Sequence, residues 1–173
     1  MVQFDKIKVG LVGTGWIIRG LTKLLNASRE MQVAGVLTRR DGKIEGLYVP
    51  DENVYHIPES LFLKSDVIVV STGDPIYSTA IINEAFKYGL PVVTMDADTM
   101  VTTGTWLSRK GLITESNGDQ PGCLAMLRRE VVEMGFTPYV YGNIKGFLNK
   151  TPSLEDMTYW SNKQGYSLSS VTS

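Results

Sequence analysis

The chain has 173 residues, 43% of them hydrophobic, so it can bury one core of ordinary size but hardly two. Its 17 basic and 18 acidic residues leave a formal charge of −1, which gives no positive field for nucleic acid or a membrane surface and favours a small neutral or mildly anionic ligand. The single cysteine, Cys123, excludes an internal disulfide framework, and without an apolar leader or an apolar run that could span a bilayer we expect a cytoplasmic protein.

Segments rich in valine and isoleucine alternate with amphipathic segments of helix length, which is typical of βαβ units. The expected fold class is therefore α/β with a mostly parallel sheet. We predict strands near Ile7–Val12, Met31–Leu37, Val54–His56, Val67–Ser71, Pro91–Met95 and Leu112–Glu115, and helices near Trp16–Ser28, Glu59–Lys64, Ile76–Tyr88, Thr102–Lys110 and Gly122–Met134. Another strand is possible at Thr137–Asn143, and residues 146–173 are polar and weakly periodic.

The stretch KVGLVGTGWIIRG, residues 8–20, follows the pattern of a turn that cradles a dinucleotide. In such a turn the first glycine permits the tight bend after the strand, and the second lets the backbone approach the pyrophosphate. Gly13 and Gly15 occupy these two positions. The N–H groups of Trp16 and Ile17, at the start of the next helix, would meet the phosphates.

Ile18 stands where a third glycine or alanine is expected. That position serves close packing of the helix on the sheet and does not contact the phosphates. With Leu21, Leu24 and Leu25 it continues an apolar stripe, so we expect Ile18 to pack against the sheet and leave cofactor binding intact. The alternative is a glycine-rich turn in an α/β protein that binds something else.

The end of the second strand distinguishes NAD from NADP, because NAD sites place an acidic residue there to bind the adenosine ribose. The sequence there is VLTRRDG, with Thr38 near the position of the acid and Arg39 and Arg40 next to it. Two arginines suit a 2′-phosphate and the adenine ring, so NADP is the expected cofactor and NAD remains possible. The alternatives are two solvated arginines, or a shift of one residue that makes Asp41 the ribose ligand.

Polar residues also follow the fourth and fifth strands. Ser71 and Thr72 lie where open α/β sheets bind ligands and could line the nicotinamide half of the site. Asp74 is a candidate N-cap for the next helix. Asp96 and Asp98 enter the same crevice, but without a third ligand they are more typical of caps and solvated acids, so no metal is expected.

Two later motifs, NGDQPG at residues 117–122 and GNIKG at residues 142–146, place glycines and polar groups beyond predicted strands. Lys145 could stabilise an alkoxide or transfer a proton during hydride transfer. An exposed lysine in a turn is the alternative. Asp119 and Pro121 could simply start a helix.

The segments GLVGTGWIIRG, DVIVVSTGDP, VVTMDADTMVTTG, NGDQPG and GNIKG together resemble the homoserine-dehydrogenase-like NAD(P)-dependent oxidoreductases, in the branch whose longer members end in an SAF domain. The resemblance implies a Rossmann-type, doubly wound cofactor domain over residues 1–142. It also implies that residues 143–173 begin an incomplete substrate and oligomerisation domain, and hence a homo-oligomer.

The same resemblance implies roles for individual residues. Gly13, Gly15, Trp16 and Ile17 would bind the pyrophosphate, Thr72 and Asp96 would line the nicotinamide crevice, and Asp119, Gln120, Asn143 and Lys145 would face the substrate. Lys145 and Asp119 are the expected catalytic residues. Homoserine itself is not the expected substrate, because MDADT stands where homoserine dehydrogenases carry Ala-Asn-Lys.

The sequence thus predicts an NADP-linked oxidoreductase, or its cofactor domain, acting on a small hydroxy or carbonyl compound, with no nucleic-acid or membrane partner. Activity of these 173 residues alone is an open question. One alternative is a non-catalytic, regulatory nucleotide-binding module. Another is a methyltransferase that binds S-adenosylmethionine, although such an enzyme would carry an acid where Thr38 stands.

Overall fold

The computed structural model describes residues 5–116, 122–142 and 151–164. The chain forms two compact units, residues 1–125 and residues 126–173. The first unit contains a β-sheet, and the second contains the helix at Leu154–Gln164. The expected division at residue 142 into a cofactor domain and a second domain stays a prediction.

The strands are β1 (Ile7–Val12), β2 (Met31–Leu37), β3 (Val54–Tyr55), β4 (Val67–Val70), β5 (Val92–Thr94) and β6 (Ile113–Glu115). They form one sheet in the order β3-β2-β1-β4-β5-β6, and every neighbouring pair is parallel. Since β1 lies between β2 and β4, the chain adds strands first on one side of β1 and then on the other. This reversal produces a crevice at the carboxyl ends of the strands. The prediction of a doubly wound, Rossmann-type α/β fold is confirmed.

The helices are α1 (Trp16–Ala27), α2 (Pro58–Phe62), α3 (Pro75–Lys87), α4 (Ala97–Leu107), α5 (Gly122–Glu133) and α6 (Leu154–Gln164). A short 3-10 turn covers Asp51–Asn53. The bounds of β1 and β2 agree with the prediction, and the other predicted elements differ at their ends by a residue or two, except for α4. Across the described ranges, no helix has the length and apolar character needed to cross a membrane.

Helix α4 begins at Ala97, so the predicted start near Thr102 was wrong. The threonines of this segment lower its helix propensity, because β-branched side chains lose rotamer freedom in helices. In the structure the hydroxyls of Thr102 and Thr103 donate to carbonyls four residues earlier in the helix, at 2.6 and 3.1 Å. The Thr103 hydroxyl also lies 2.7 Å from that of Thr79 on α3. These bonds satisfy the hydroxyls of Thr102 and Thr103 within the helical conformation.

The open strand prediction at Thr137–Asn143 was also wrong over its described part. Residues 137–142 form no strand, and Tyr139 and Val140 are 89% and 87% exposed. A strand needs a neighbour to satisfy its backbone groups, and none pairs with this segment among the described residues. Asn143 lies outside the described residues.

Helix α6 falls within the segment that the sequence analysis treated as weakly periodic. Ser153 precedes it, and the Ser153 hydroxyl accepts from the backbone N–H of Asp156 at 3.0 Å. The Asp156 carboxylate in turn accepts from the backbone N–H of Ser153 at 3.2 Å. This reciprocal pair is a capping box, which fixes the start of the helix.

Buried side chains form two clusters on opposite faces of the sheet, because successive strand residues point to opposite sides. On β4, for example, Val69 belongs to one cluster, and Ile68 and Val70 belong to the other. The cluster with Val69 also contains Val9, Leu11, Ile18, Leu25 and Val36, and the second also contains Val12, Leu37, Leu61, Phe62, Ile81, Ile82, Ala85, Leu90, Val92 and Leu107.

Ile18 packs against the sheet, as predicted. Its side chain is 0% exposed, Leu25 is buried in the same cluster, and Leu21 packs against that cluster. Leu24 does not belong to this face, because it is 69% exposed, and its place in the predicted stripe was wrong. At 3.6 residues per turn, position 24 lies about 120° around the helix from position 18 and about 100° from position 25, both of which are buried. The position where a third glycine is expected is therefore occupied by a side chain of the hydrophobic core.

We expect Ile18→Ala to lower the free energy of unfolding by ~2–5 kcal/mol, because truncating a buried isoleucine leaves a cavity between α1 and the sheet. Leu24→Ala on the same helix is the control and should change the free energy of unfolding by less than ~1 kcal/mol. Urea unfolding followed by circular dichroism measures both. Equal losses for the two variants would contradict the packing role of Ile18.

Candidate functional site

The turn after β1 approaches β4 too closely for any residue but glycine. Gly13 has φ +112°, and a Cβ added there would collide with the carbonyl oxygen of Ser71. The N–H of Gly13 donates to the carbonyl of Leu37 at 3.0 Å, and the N–H of Ser71 donates to Val12 at 3.0 Å. Gly13 therefore joins the carboxyl ends of β2, β1 and β4 in one place.

Gly15 is glycine for a different reason. Its φ is −69°, which any residue can adopt, and no heavy atom of the described chain lies within 4 Å of an added Cβ. Packing within these residues therefore does not require a glycine here. What Gly15 leaves is open space directly at the N-terminus of α1.

The first turn of α1 fits an anion. Gly15 provides no side-chain cap, and the turn contains no acidic residue. Trp16 and Ile17 begin the helix with side chains 49% and 37% exposed. The positive end of a 12-residue helix, with open space before it, suits the pyrophosphate of a dinucleotide.

Thr38 shapes the turn after β2. It is 5% exposed, its N–H donates to the carbonyl of Tyr55 at 2.9 Å, and its hydroxyl accepts from the N–H of Arg40 at 3.0 Å. These bonds fix the backbone and leave the side chains of Arg39, Arg40 and Asp41 exposed at the carboxyl edge of the sheet.

Arg39 is held by Asp74, in the loop after β4, and by Tyr77 of α3, which the sequence analysis did not foresee. Its Nη2 lies 3.1 Å from Oδ2 of Asp74, and its Cζ lies 4.0 Å from the centroid of the Tyr77 ring. Asp74 also accepts from the N–H of Tyr77 at 3.0 Å, which confirms it as the N-cap of α3. One carboxylate therefore caps a helix and pairs with an arginine of another loop.

The contacts among Arg39, Asp74 and Tyr77, together with burial, shift the pKa values of Asp74 and Tyr77. The N–H of Tyr77, and then the Arg39 guanidinium, hold the pKa of Asp74 below its ordinary value against the opposing effect of desolvation. Burial raises the pKa of the Tyr77 phenol, although Arg39 opposes that shift. At neutral pH the group therefore consists of one anion, one cation and one neutral ring.

Asp96 is a buried carboxylate that holds the loop after β4. It is 9% exposed, and it accepts from the N–H groups of Thr72 and Gly73 at 3.0 and 3.1 Å and from the hydroxyl of Ser78 at 2.6 Å. The Thr72 hydroxyl also donates to it at 3.3 Å. Within the described part of the chain no lysine or arginine forms an ion pair with this carboxylate. Among these residues, hydrogen-bond donors satisfy the carboxylate oxygens.

The structure thus brings most of the predicted cofactor residues to one edge of the sheet. Ser71 takes part through its backbone carbonyl beside Gly13, and Thr72 through both its backbone N–H and its hydroxyl, which donate to Asp96. The four residues predicted to serve catalysis or substrate binding lie outside the described residues: Asp119, Gln120, Asn143 and Lys145.

Sequence reasoning missed two contributors to this edge, Tyr77 and Ser78, both in the first turn of α3. A weak signal for Tyr77 was available, since it stands three residues after a capping aspartate, where its ring can point back to the loop. No group of three or more histidine, cysteine or acidic residues capable of holding a metal occurs in the ranges 5–116, 122–142 and 151–164.

Solved structures share this fold. A homoserine dehydrogenase from Thiobacillus denitrificans is 19% identical at a TM-score of 0.61, over 75% of this chain and 34% of that chain. An S. aureus homoserine dehydrogenase is 15% identical at a TM-score of 0.53, over 65% of this chain and 32% of that chain. A meso-DAPDH mutant with DAP from Clostridium tetani is 21% identical at a TM-score of 0.54, over 75% of this chain and 42% of that chain.

The chain therefore covers less than half the length of each of these proteins. At such identities the likeness shows the fold. No family model and no curated protein sequence matches the chain.

We expect Asp96→Asn to lower the free energy of unfolding by ~1–3 kcal/mol. The NH₂ group of the asparagine would face the N–H and O–H donors that now bond to a carboxylate oxygen, so some of those donors would lose their acceptor. Asp98→Asn is the matched control, since Asp98 is exposed in the first turn of α4 and should cost no more than ~1 kcal/mol. Urea unfolding at neutral pH measures both. Equal effects would show that the buried network does not stabilise the loop.

Proposed function

We propose that this chain binds a nicotinamide dinucleotide, NADP in preference to NAD, and forms the cofactor-binding part of an oxidoreductase. The observation that supports this most directly is the open N-terminus of α1 at Gly15, beside a turn that only glycine can make at residue 13. Both features lie at the crevice between β1 and β4, where doubly wound sheets bind their ligands.

The pyrophosphate would lie over Gly15, with the backbone N–H groups of Trp16 and Ile17 as donors. Because Gly15 has no side chain, the phosphate oxygens can approach the helix end closely. Ile18 takes no part, since its side chain is buried against the sheet.

The adenosine end would lie near the turn after β2. An NAD site would place a carboxylate there, whereas this chain has Thr38, whose hydroxyl is bonded to the backbone of its own turn. The exposed guanidinium groups of Arg39 and Arg40 offer the charge and planar donors that a 2′-phosphate requires. The charge at this edge therefore supports NADP.

The nicotinamide would extend toward Ser71 and Thr72, with Asp96 acting from behind as a positioning residue for their loop. When bound, the nicotinamide supplies a hydride donor or acceptor. The protein must then orient a small hydroxy or carbonyl substrate and move a proton to or from its oxygen.

For that proton step we propose Lys145 and Asp119, with Gln120 and Asn143 binding the substrate. These assignments rest on the motifs NGDQPG and GNIKG. The substrate class and a homo-oligomeric state are proposals on the same basis. The presence of dehydrogenases among the solved proteins of the same fold supports the proposal that the chain belongs to an oxidoreductase.

We expect NADP to bind at least tenfold more tightly than NAD, equivalent to about 1.4 kcal/mol. Replacing both Arg39 and Arg40 with alanine should remove most of the difference by weakening NADP, because the 2′-phosphate then loses its counter-charges. Titration calorimetry of the unmodified chain and the double variant measures all four constants. Equal affinities in the unmodified chain would contradict the NADP preference.

We expect Gly15→Val to abolish binding of both dinucleotides while the fold is retained, since its side chain would occupy the open space at the helix end. Gly20→Ala is the matched control on the same helix, where an added Cβ also meets no atom within 4 Å. It should leave both dissociation constants unchanged and raise helix stability by up to ~1 kcal/mol. Unaltered binding by Gly15→Val would place the ligand elsewhere.

Turnover is a separate test. Nicotinamide absorbance, followed with a panel of small hydroxy and carbonyl compounds, distinguishes an oxidoreductase from a regulatory module that binds the same cofactor. Exchange of hydride with any of them supports the enzyme. Tight binding without turnover supports the regulatory module for this chain.

A further inference from the structure

The ion pair between Arg39 and Asp74 joins two loops that flank the candidate phosphate site. Arg39 follows β2 and Asp74 follows β4, and both strands are direct neighbours of β1 in the sheet. The pair therefore connects the loops on either side of the Gly13–Gly15 turn. The side chains are 61% and 37% exposed, so an incoming ligand can reach them.

Arg39 is thereby engaged before any ligand arrives. Its guanidinium pairs with the Asp74 carboxylate at 3.1 Å and lies on the Tyr77 ring at 4.0 Å. Asp74 cannot simply move away with its charge, since its other oxygen caps α3 through the Tyr77 N–H at 3.0 Å. A phosphate that recruits Arg39 must therefore compete with a carboxylate fixed to the helix.

We propose that Asp74 sets the strength of the NADP preference by competing with the 2′-phosphate for Arg39. The inference rests on the proposed function. NAD carries a hydroxyl in place of that phosphate and shares only the adenine with NADP at this edge, so we expect its affinity to depend little on the pair. Asp74 is thus a specificity-determining residue that acts through Arg39.

The expected size of the effect on NADP binding follows from the exposure of the Arg39–Asp74 ion pair. Ion pairs on protein surfaces stabilise only weakly, and a phosphate carries more charge than a carboxylate, so the phosphate can win the competition. Removing Asp74 should then change the NADP dissociation constant by about three- to tenfold. Asp74 tunes selectivity between the two dinucleotides and does not block the site.

The test is Asp74→Asn, which removes the charge and keeps the oxygen that caps α3, because asparagine is as good an N-cap as aspartate. We expect the variant to bind NADP about three- to tenfold more tightly and NAD within about twofold of the unmodified chain, by titration calorimetry at low salt. Glu84→Gln is the control. It removes one charge and one ion pair, that with Lys87 at 2.6 Å, from the far end of the same helix, and it should leave the ratio of the two dissociation constants unchanged.

The same substitution in an Arg39→Ala background tests the mechanism. There the gain from Asp74→Asn should fall below about twofold, because the arginine for which Asp74 competes is gone. A gain that persists at full size would mean that Asp74 repels the phosphate directly, and it would overturn the action through Arg39.

Two further outcomes separate this inference from the proposed function. If the unmodified chain binds neither dinucleotide, the proposed function is wrong and the inference falls with it. If both bind and Asp74→Asn leaves their ratio unchanged, or weakens NAD, only the role of Asp74 is wrong.

Discussion

The carboxyl edge of the sheet depends on the buried carboxylate of Asp96, beside which the described residues place no cation. A carboxylate as enclosed as this must be stabilised by hydrogen-bond donors, and it accepts four hydrogen bonds, from Thr72 and Gly73 of the loop after β4 and from Ser78 of α3. The loop is therefore fixed relative to β5. Asp74 follows directly in this loop, so its position, and with it the start of α3, depends on the same carboxylate.

The two glycines of the β1 turn show opposite uses of the missing side chain. At Gly13 the protein itself occupies the space, because the carbonyl of Ser71 lies where a Cβ would stand. At Gly15 the described chain leaves the space empty. The first glycine allows two strands to lie close together, and the second leaves the space into which we propose that the pyrophosphate binds. Only together do they make a helix end that is both rigid and accessible.

Much of the sheet could be predicted because its determinants are local. The apolar run at Ile7–Val12 and the glycines after it specify a strand, a turn and a helix within 20 residues. The start of α6 was predictable as well, since Ser153 and Asp156 have the spacing of a capping box. The sequence analysis did not use that signal and described the segment only as polar and weakly periodic.

Other features depended on contacts that no local pattern contains. The pairing of Arg39 with Asp74 joins residues 35 positions apart and exists only because β2 and β4 flank β1. The threonine hydroxyls of α4 bond within the helix and to α3, and the second of these contacts joins residues 79 and 103 across two helices. Leu24 was misplaced because a run of leucines does not by itself show which of them faces the sheet.

The position of β1 in the sheet also has a consequence for how the chain reaches its native state. β1 is synthesised well before β4, yet β4 is one of its two neighbours in the sheet, and Val9 pairs with Val67. Until the ribosome has released that later segment, one edge of β1 lacks its hydrogen-bonding partner. Such non-local pairing slows folding, because a long loop must close before its contacts form. A nascent chain that ends before β4 therefore exposes an unpaired strand edge, which chaperones and aggregation can both recognise.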